Sequence, residues 1–393
     1  GEGEKRRMKD EPGMNISGDV NTGGGDFIGR DQNIHLHLNL PAQTDHPVYL
    51  LPPKPGLVIG REEHLAELKK RLGAGSAEPA GASLQVLTAV RGWPGVGKTT
   101  LASLLAHDPQ TRQAFPDGIL WTSLGPDLQA SPLPKLAEWG RALGSQSLAE
   151  ARSPEEAQRI LAGLLRERRM LLLIDDVWQA SQARPFLAGG ARCATLLTTR
   201  QLDIAAQLTD TPGQVFSLPV LSDEKALELL AELAPAVTRE FPAQSLSLVQ
   251  ALEGLPLAIQ VAGRLLQAEI ARGFGVEKLI QTIQAGAALL QANAPADRAD
   301  LVNQTTPTVA ALLLTSLEHL DDFTRECYAY LGVFAPKPAT FDLEAMRFVW
   351  DVDDPQPVVA ALVDRGLLEY LPDLKRYQMH ALLVMLAKTL LTD

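Results

Sequence analysis

Beyond residue 56, short apolar runs alternate with longer amphipathic stretches. Residues 84–90, 119–124, 170–174, 195–199 and 215–218 are dense in Leu, Ile, Val and Thr, as expected of strands covered on both faces. Between them, 62–72, 99–106 and 154–166 carry apolar residues at helical spacing. The alternation predicts an α/β fold, a mostly parallel sheet with helices on both faces. From residue 222 the strand pattern stops. Ser222 reads as a helix cap, with Glu224 and Glu228 outward and Ala226, Leu227, Leu229 and Leu230 inward. Further helices are predicted at 246–252, 256–271 and 276–291, so this region is all-α.

An Asn-, Ala- and Pro-containing stretch at 293–307 reads as a hinge. After it come helical runs and a short strand pair, 367–371 and 377–379, turning at Pro372 and Asp373. Helices with a small hairpin predict a winged helix. Residues 1–56 differ from the rest. Gly, Asn and Asp are dense, and Pro41, Pro47, Pro52, Pro53 and Pro55 follow, which reads as an arm and linker. The opening residues 1–7 are set aside from fold reasoning.

Composition narrows the function classes. The chain has 393 residues, 46% hydrophobic and 21% charged, enough for several globular domains. Its net charge of −11 disfavours a broad footprint on nucleic acid or anionic lipid. Within 305–393, thirteen acidic residues face seven Lys and Arg, a poor balance for a DNA-binding winged helix. No apolar run reaches the length of a membrane span and no signal-peptide core is legible. Cys193 and Cys327 read as small core side chains, which points to a reducing, cytoplasmic setting.

The strongest chemical signal is Gly92-Trp93-Pro94-Gly95-Val96-Gly97-Lys98-Thr99. It has the G-x-x-x-x-G-K-[ST] spacing of a phosphate loop, between a predicted strand and a predicted helix. Glycines let backbone N–H groups turn toward phosphate, Lys98 supplies a point charge, and Thr99 offers a hydroxyl to magnesium. The helix that follows adds its positive dipole end. Asp175 and Asp176 end the apolar run 170–174, where an α/β sheet gathers its chemistry. Asp175 is expected to serve the metal and Asp176 to orient water. Arg200, after Thr198 and Thr199, is expected to sense a γ-phosphate or stabilise transferring charge.

Four further segments join these three: Val58-Ile59-Gly60-Arg61-Glu62, Trp178 after the paired Asp, Gly254-Leu255-Pro256-Leu257-Ala258, and Tyr377-Gln378-Met379-His380. In order and spacing the seven resemble the NB-ARC module of STAND signalling NTPases, over about residues 57–393. That family includes apoptosome-forming proteins, plant disease-resistance proteins and bacterial defence and regulatory proteins. After the arm and linker at 1–56, the resemblance implies three regions: a P-loop nucleotide-binding domain at 57–218, a helical domain at 219–304 and a winged helix at 305–393.

It also implies roles. Gly60 and Arg61 would lie against adenine. Gly92, Gly95, Val96, Gly97, Lys98, Thr99 and Thr100 would cradle phosphate and Mg²⁺, with Thr99 and Asp175 at the metal. Asp176 would orient water, Arg200 would read the γ-phosphate, and Pro256 would pack on base and ribose. His380 would touch the β-phosphate of ADP and lock a closed state. ATP would open the clamp and drive self-association, with slow hydrolysis as reset. The family usually has Asp after Met-His, where Ala381 stands here, which implies a weaker ADP lock. Restoring Ala381→Asp should slow ADP release.

The arm remains open to two readings. Ile34, Leu36, Leu38 and Leu40 alternate with His35, His37 and Asn39, a period-two pattern. Residues 16–40 resemble short amyloid-type signalling motifs that recruit an effector homotypically; they also read as a plain tether. Two rival functions stand beside the switch: a motor ATPase of the AAA+ kind, and an ATP-dependent transcription regulator using the winged helix on DNA.

Overall fold

The structure is a computed structural model that describes residues 46–74, 83–89, 95–125, 127, 129–271, 277–281, 313–314, 316–318, 320–337 and 339–392. Expectations for the arm at 16–40, for Gly92 and for the hinge at 293–307 lie outside the described residues.

Six parallel strands form one sheet. They are β1 (Val48–Tyr49), β2 (Ser83–Ala89), β3 (Gly118–Ser123), β4 (Met170–Val177), β5 (Ala194–Thr199) and β6 (Val215–Leu218), ordered β1-β3-β4-β5-β2-β6. Successive residues of each central strand feed separate cores. Leu87, Ile119, Leu171, Leu173 and Leu196 enter one core, while Val86, Leu120, Leu172, Ile174 and Leu197 enter the other. That is why these strands read as continuous apolar runs rather than alternating ones. Leu68 of the helix Glu62–Arg71 and Leu101 and Leu105 of Lys98–His107 cover the first face. Trp139 of Leu133–Ala142, Leu161 of Pro154–Leu165 and Ile204 of Leu202–Leu208 cover the second. The expected α/β parallel sheet is therefore present.

Strand β1 falls within the stretch expected to be linker. Val48 pairs with Gly118, whose φ of +126° brings it so close that a Cβ would meet the Val48 carbonyl. The following prolines are tied down as well. His107 Nε2 meets the Pro52 carbonyl at 2.8 Å, and Ser103 Oγ donates to the Pro53 carbonyl at 2.8 Å. The compact unit accordingly begins at His46.

The first core does not stop at the sheet. It continues through Leu229 of the helix Asp223–Leu233 and Leu257 of Pro256–Ala271 to Tyr328 and Met379 near the C-terminal end. Ser222 caps the helix Asp223–Leu233, its side chain accepting from the Lys225 amide, as its sequence position predicted. The region expected as a helix at 246–252 is the longer helix Pro242–Ala251. Toward the C-terminus, the helices Asp322–Tyr330, Leu343–Trp350, Gln356–Asp364 and Ala381–Thr392 accompany an antiparallel pair, β7 (Glu369–Leu371) and β8 (Arg376–Gln378). Cys193 and Cys327 are buried and unbonded to each other. No helix among the described residues is long and apolar enough to cross a membrane.

Candidate functional site

The turn after β2 depends on glycine at two points. Gly95 and Gly97 have φ of +82° and +101°, values that favour glycine because a Cβ strains them. Gly97 is the N-cap of the helix Lys98–His107, and no side chain caps it. Backbone N–H groups at such a helix start suit an anion. Lys98 is buried, and burial together with the nearby Arg200 charge pushes its ammonium down to about 8.

Behind the loop stands Asp175, 1% exposed, at the end of β4. Its carboxylate accepts from Thr99 Oγ1 at 3.0 and 3.1 Å and from Thr198 Oγ1 at 2.6 Å. Burial, reinforced by Asp176, raises the carboxyl to about 6, even though both hydroxyls favour the ionised form. The β4–β5 register slips between Ile174 and Val177, and Asp176 takes φ +52°. A non-glycine residue there stores strain, and the slip turns the Asp176 side chain out of the β4 alternation into the cleft wall. The Asp176 amide donates to Thr198 Oγ1 at 2.9 Å. Arg200 Nε lies 3.7 Å from Asp176 Oδ1, and the guanidinium sits 5.2 Å from the centre of the Trp178 ring.

Arg61 lines the same cleft and also holds two backbone carbonyls. Nη2 donates to the Val96 carbonyl at 2.7 Å and Nη1 to the Pro219 carbonyl at 2.9 Å. The guanidinium thus ties the phosphate loop to the chain leaving β6. Burial lowers its pKa to about 10. Gly60, at φ +69°, precedes it against Lys225, where a Cβ would come within 2.9 Å. Pro256 begins its helix, and the next residue docks on the loop: Leu257 N donates to the Gly95 carbonyl at 3.3 Å.

These residues meet in one cleft. Gly95, Val96, Gly97, Lys98, Thr99 and Thr100 line it, as do Arg61, Asp176, Arg200, Pro256 and His380. Asp175 sits behind Thr99 rather than in the wall. His380 is held well below its ordinary pKa by burial and by the cations Lys337, Arg200 and Lys98, so its imidazole is neutral. Sequence reasoning missed Pro52 and Pro53, Thr198, Lys337, Glu369 and Gln378, all of which line the cleft. Thr198 was findable, since it lies next to the end of the strand beside Asp175, and so was Gln378, two residues before His380. The others carry no local signal, because contacts across large sequence separations create their roles.

Residues 61–239 match the NB-ARC domain. The chain is 32% identical over 336 residues to Regulatory protein AfsR of Streptomyces coelicolor, covering 84% of this chain and 32% of that protein. It is 35% identical over 190 residues to Apoptotic protease-activating factor 1 of Danio rerio, covering 45% of this chain and 14% of that protein. It is 26% identical over 336 residues to Disease resistance protein RGA2 of Solanum bulbocastanum, covering 81% of this chain and 31% of that protein. The chain spans about a third or less of the length of these curated relatives.

Proposed function

We propose that this chain, whose residues 61–239 match the NB-ARC domain, is an ATP/ADP-dependent signalling switch of the STAND NTPase kind. One observation carries the reading. Lys98 and Thr99, Pro256, and His380 come from three successive stretches of the chain, the sheet, the helices that follow it and the C-terminal region, yet line a single cleft. A ligand seated there binds the three together, and a change in that ligand changes how firmly they hold.

With ADP, Lys98 and the loop amides grip the phosphates while the neutral His380 donates a hydrogen bond to the β-phosphate, which keeps the clamp closed. With ATP, Arg200 turns to the γ-phosphate, the winged helix loses its hold, and the freed surfaces self-associate. Inverting a 1:99 population takes about 5.5 kcal/mol of differential binding, within reach of one phosphate gripped by several charged donors. Hydrolysis is slow and resets the switch. Thr99 and Asp175 fit Mg²⁺, since they bring hard oxygens together at 3.0 Å. They would hold it, and the ion would neutralise phosphate charge when bound. Asp176 orients the attacking water, and its contact with Arg200 links that task to γ-phosphate sensing. The acidic balance of residues 305–393 counts against a DNA-directed winged helix.

Size-exclusion chromatography with ADP and with a non-hydrolysable ATP analogue tests the switch. The expected result is a monomer with ADP, a larger species with the analogue, and no response in Lys98→Ala. A protein without measurable affinity for adenine nucleotides, with or without Mg²⁺, defeats the reading.

A further inference from the structure

Lys337 and Glu369 lie outside every nucleotide motif in the sequence and Gln378 lies within the one that ends at His380, yet all three line the cleft that holds Lys98, Arg200 and His380. They form a connected group. Glu369 and Gln378 are directly opposite each other in the β7–β8 pair. Gln378 Nε2 donates to Glu369 Oε2 at 2.9 Å, and Lys337 Nζ reaches the same oxygen at 3.5 Å. The Lys337 amide donates to the Met379 carbonyl at 2.7 Å, which fixes its backbone beside the segment that carries His380. The Lys337 side chain is 19% exposed. An ammonium so placed has three donors, and its long contact with Glu369 is at the weak end of ion pairing.

Burial and the cations Lys337, Arg200 and Lys98 disfavour a charged His380. The residue after it is Ala381, which has no carboxylate to favour the imidazolium. Among the C-terminal residues that line the cleft, Lys337 is the cationic side chain. We propose that Lys337 is a phosphate-binding residue, a cation contributed from the C-terminal region to the diphosphate of the bound nucleotide and aimed by the Glu369–Gln378 pair. The proposal rests on the nucleotide reading above. In the closed state Lys98 grips the phosphates from the loop, and Lys337 grips them from the region whose release is the switch. Glu369 sets how much of the Lys337 charge is available: it orients the ammonium and competes with phosphate for it.

The test is ADP and adenosine affinity by titration calorimetry on the full chain stripped of nucleotide, with ligand-free melting as a fold control. Lys337→Met should weaken ADP binding about tenfold and leave adenosine binding unchanged. Lys337→Arg should recover most of the loss. Glu369→Gln should tighten ADP binding, since it removes the competing carboxylate; a purely structural brace would make it weaken binding as Lys337→Met does, and that result overturns the proposal. If the wild type binds ADP and Lys337→Met binds it equally well, Lys337 is not a phosphate ligand and the nucleotide reading stands. A wild type that binds neither ADP nor ATP overturns both.

Discussion

Leu257 N donates to the Gly95 carbonyl at 3.3 Å, so the second residue of the Gly-Leu-Pro-Leu helix is seated directly on the phosphate loop. A Cβ on Gly95 would lie 2.8 Å from the Leu257 Cβ, and the φ there is +82°. Gly95→Ala is expected to lose at least about 1 kcal/mol from backbone strain alone, more from the displaced helix, and most nucleotide affinity. Urea unfolding and nucleotide titration measure the two losses. Intact stability would mean that loop and helix are not packed as described.

Arg61 is expected to matter before any ligand binds. Its two hydrogen bonds to Val96 and Pro219 carbonyls are charge-assisted. Arg61→Ala should lower ligand-free stability by about 1–3 kcal/mol. Arg61→Lys should do little better, since one ammonium does not reproduce the planar fork. Unchanged urea midpoints with reduced nucleotide affinity would assign Arg61 to the ligand alone.

Asp175 makes stability depend on pH in a defined direction. Its native carboxyl titrates at about 6 against 3.8 ordinarily, so between those values the native state holds more protons than the unfolded state. Stability should then fall as pH rises from about 4 to 6 and level off above. Asp175→Asn removes this contribution and should raise ligand-free stability at pH 7 by about 1–3 kcal/mol, while abolishing Mg²⁺-dependent hydrolysis. Chemical denaturation across pH 4–8 reads the slope; a mutant with the wild-type slope would show that another group is responsible.

Trp178 should act through Arg200. The guanidinium is held over the indole at 5.2 Å and near Asp176 at 3.7 Å. Trp178→Ala is expected to slow single-turnover ATP hydrolysis about three- to tenfold, in line with a cation–π contact of about 0.5–1 kcal/mol or more, and to spare ADP affinity. Trp178→Phe should keep most of the rate. Equal losses for ATP and ADP would point to general damage at the end of β4.

The chain order of apolar runs was sufficient for five of the six strands of the sheet. The run 215–218 is strand β6 to the residue, and 170–174 extended to Val177 because the β4–β5 pairing continues past its register slip. The helix expected at 256–271 is Pro256–Ala271. These successes share a cause: burial on both faces of a strand, a proline at a helix start and a phosphate-loop spacing are local constraints, written into adjacent residues. Strand β1 escaped notice because two residues carry no periodicity; its partner Gly118 lies about seventy residues downstream.

What only the tertiary structure decided was which distant groups share the cleft. Lys98, Thr99 and Asp175 were legible as chemistry, since their motif fixes their type and spacing. The Arg61 grip on Val96 and Pro219, the Leu257 seat on Gly95 and the arrival of Lys337 and Glu369 in the cleft were not. Each joins residues tens to hundreds of positions apart, and such contacts arise from the packing of whole elements through one continuous core. No local preference encodes them.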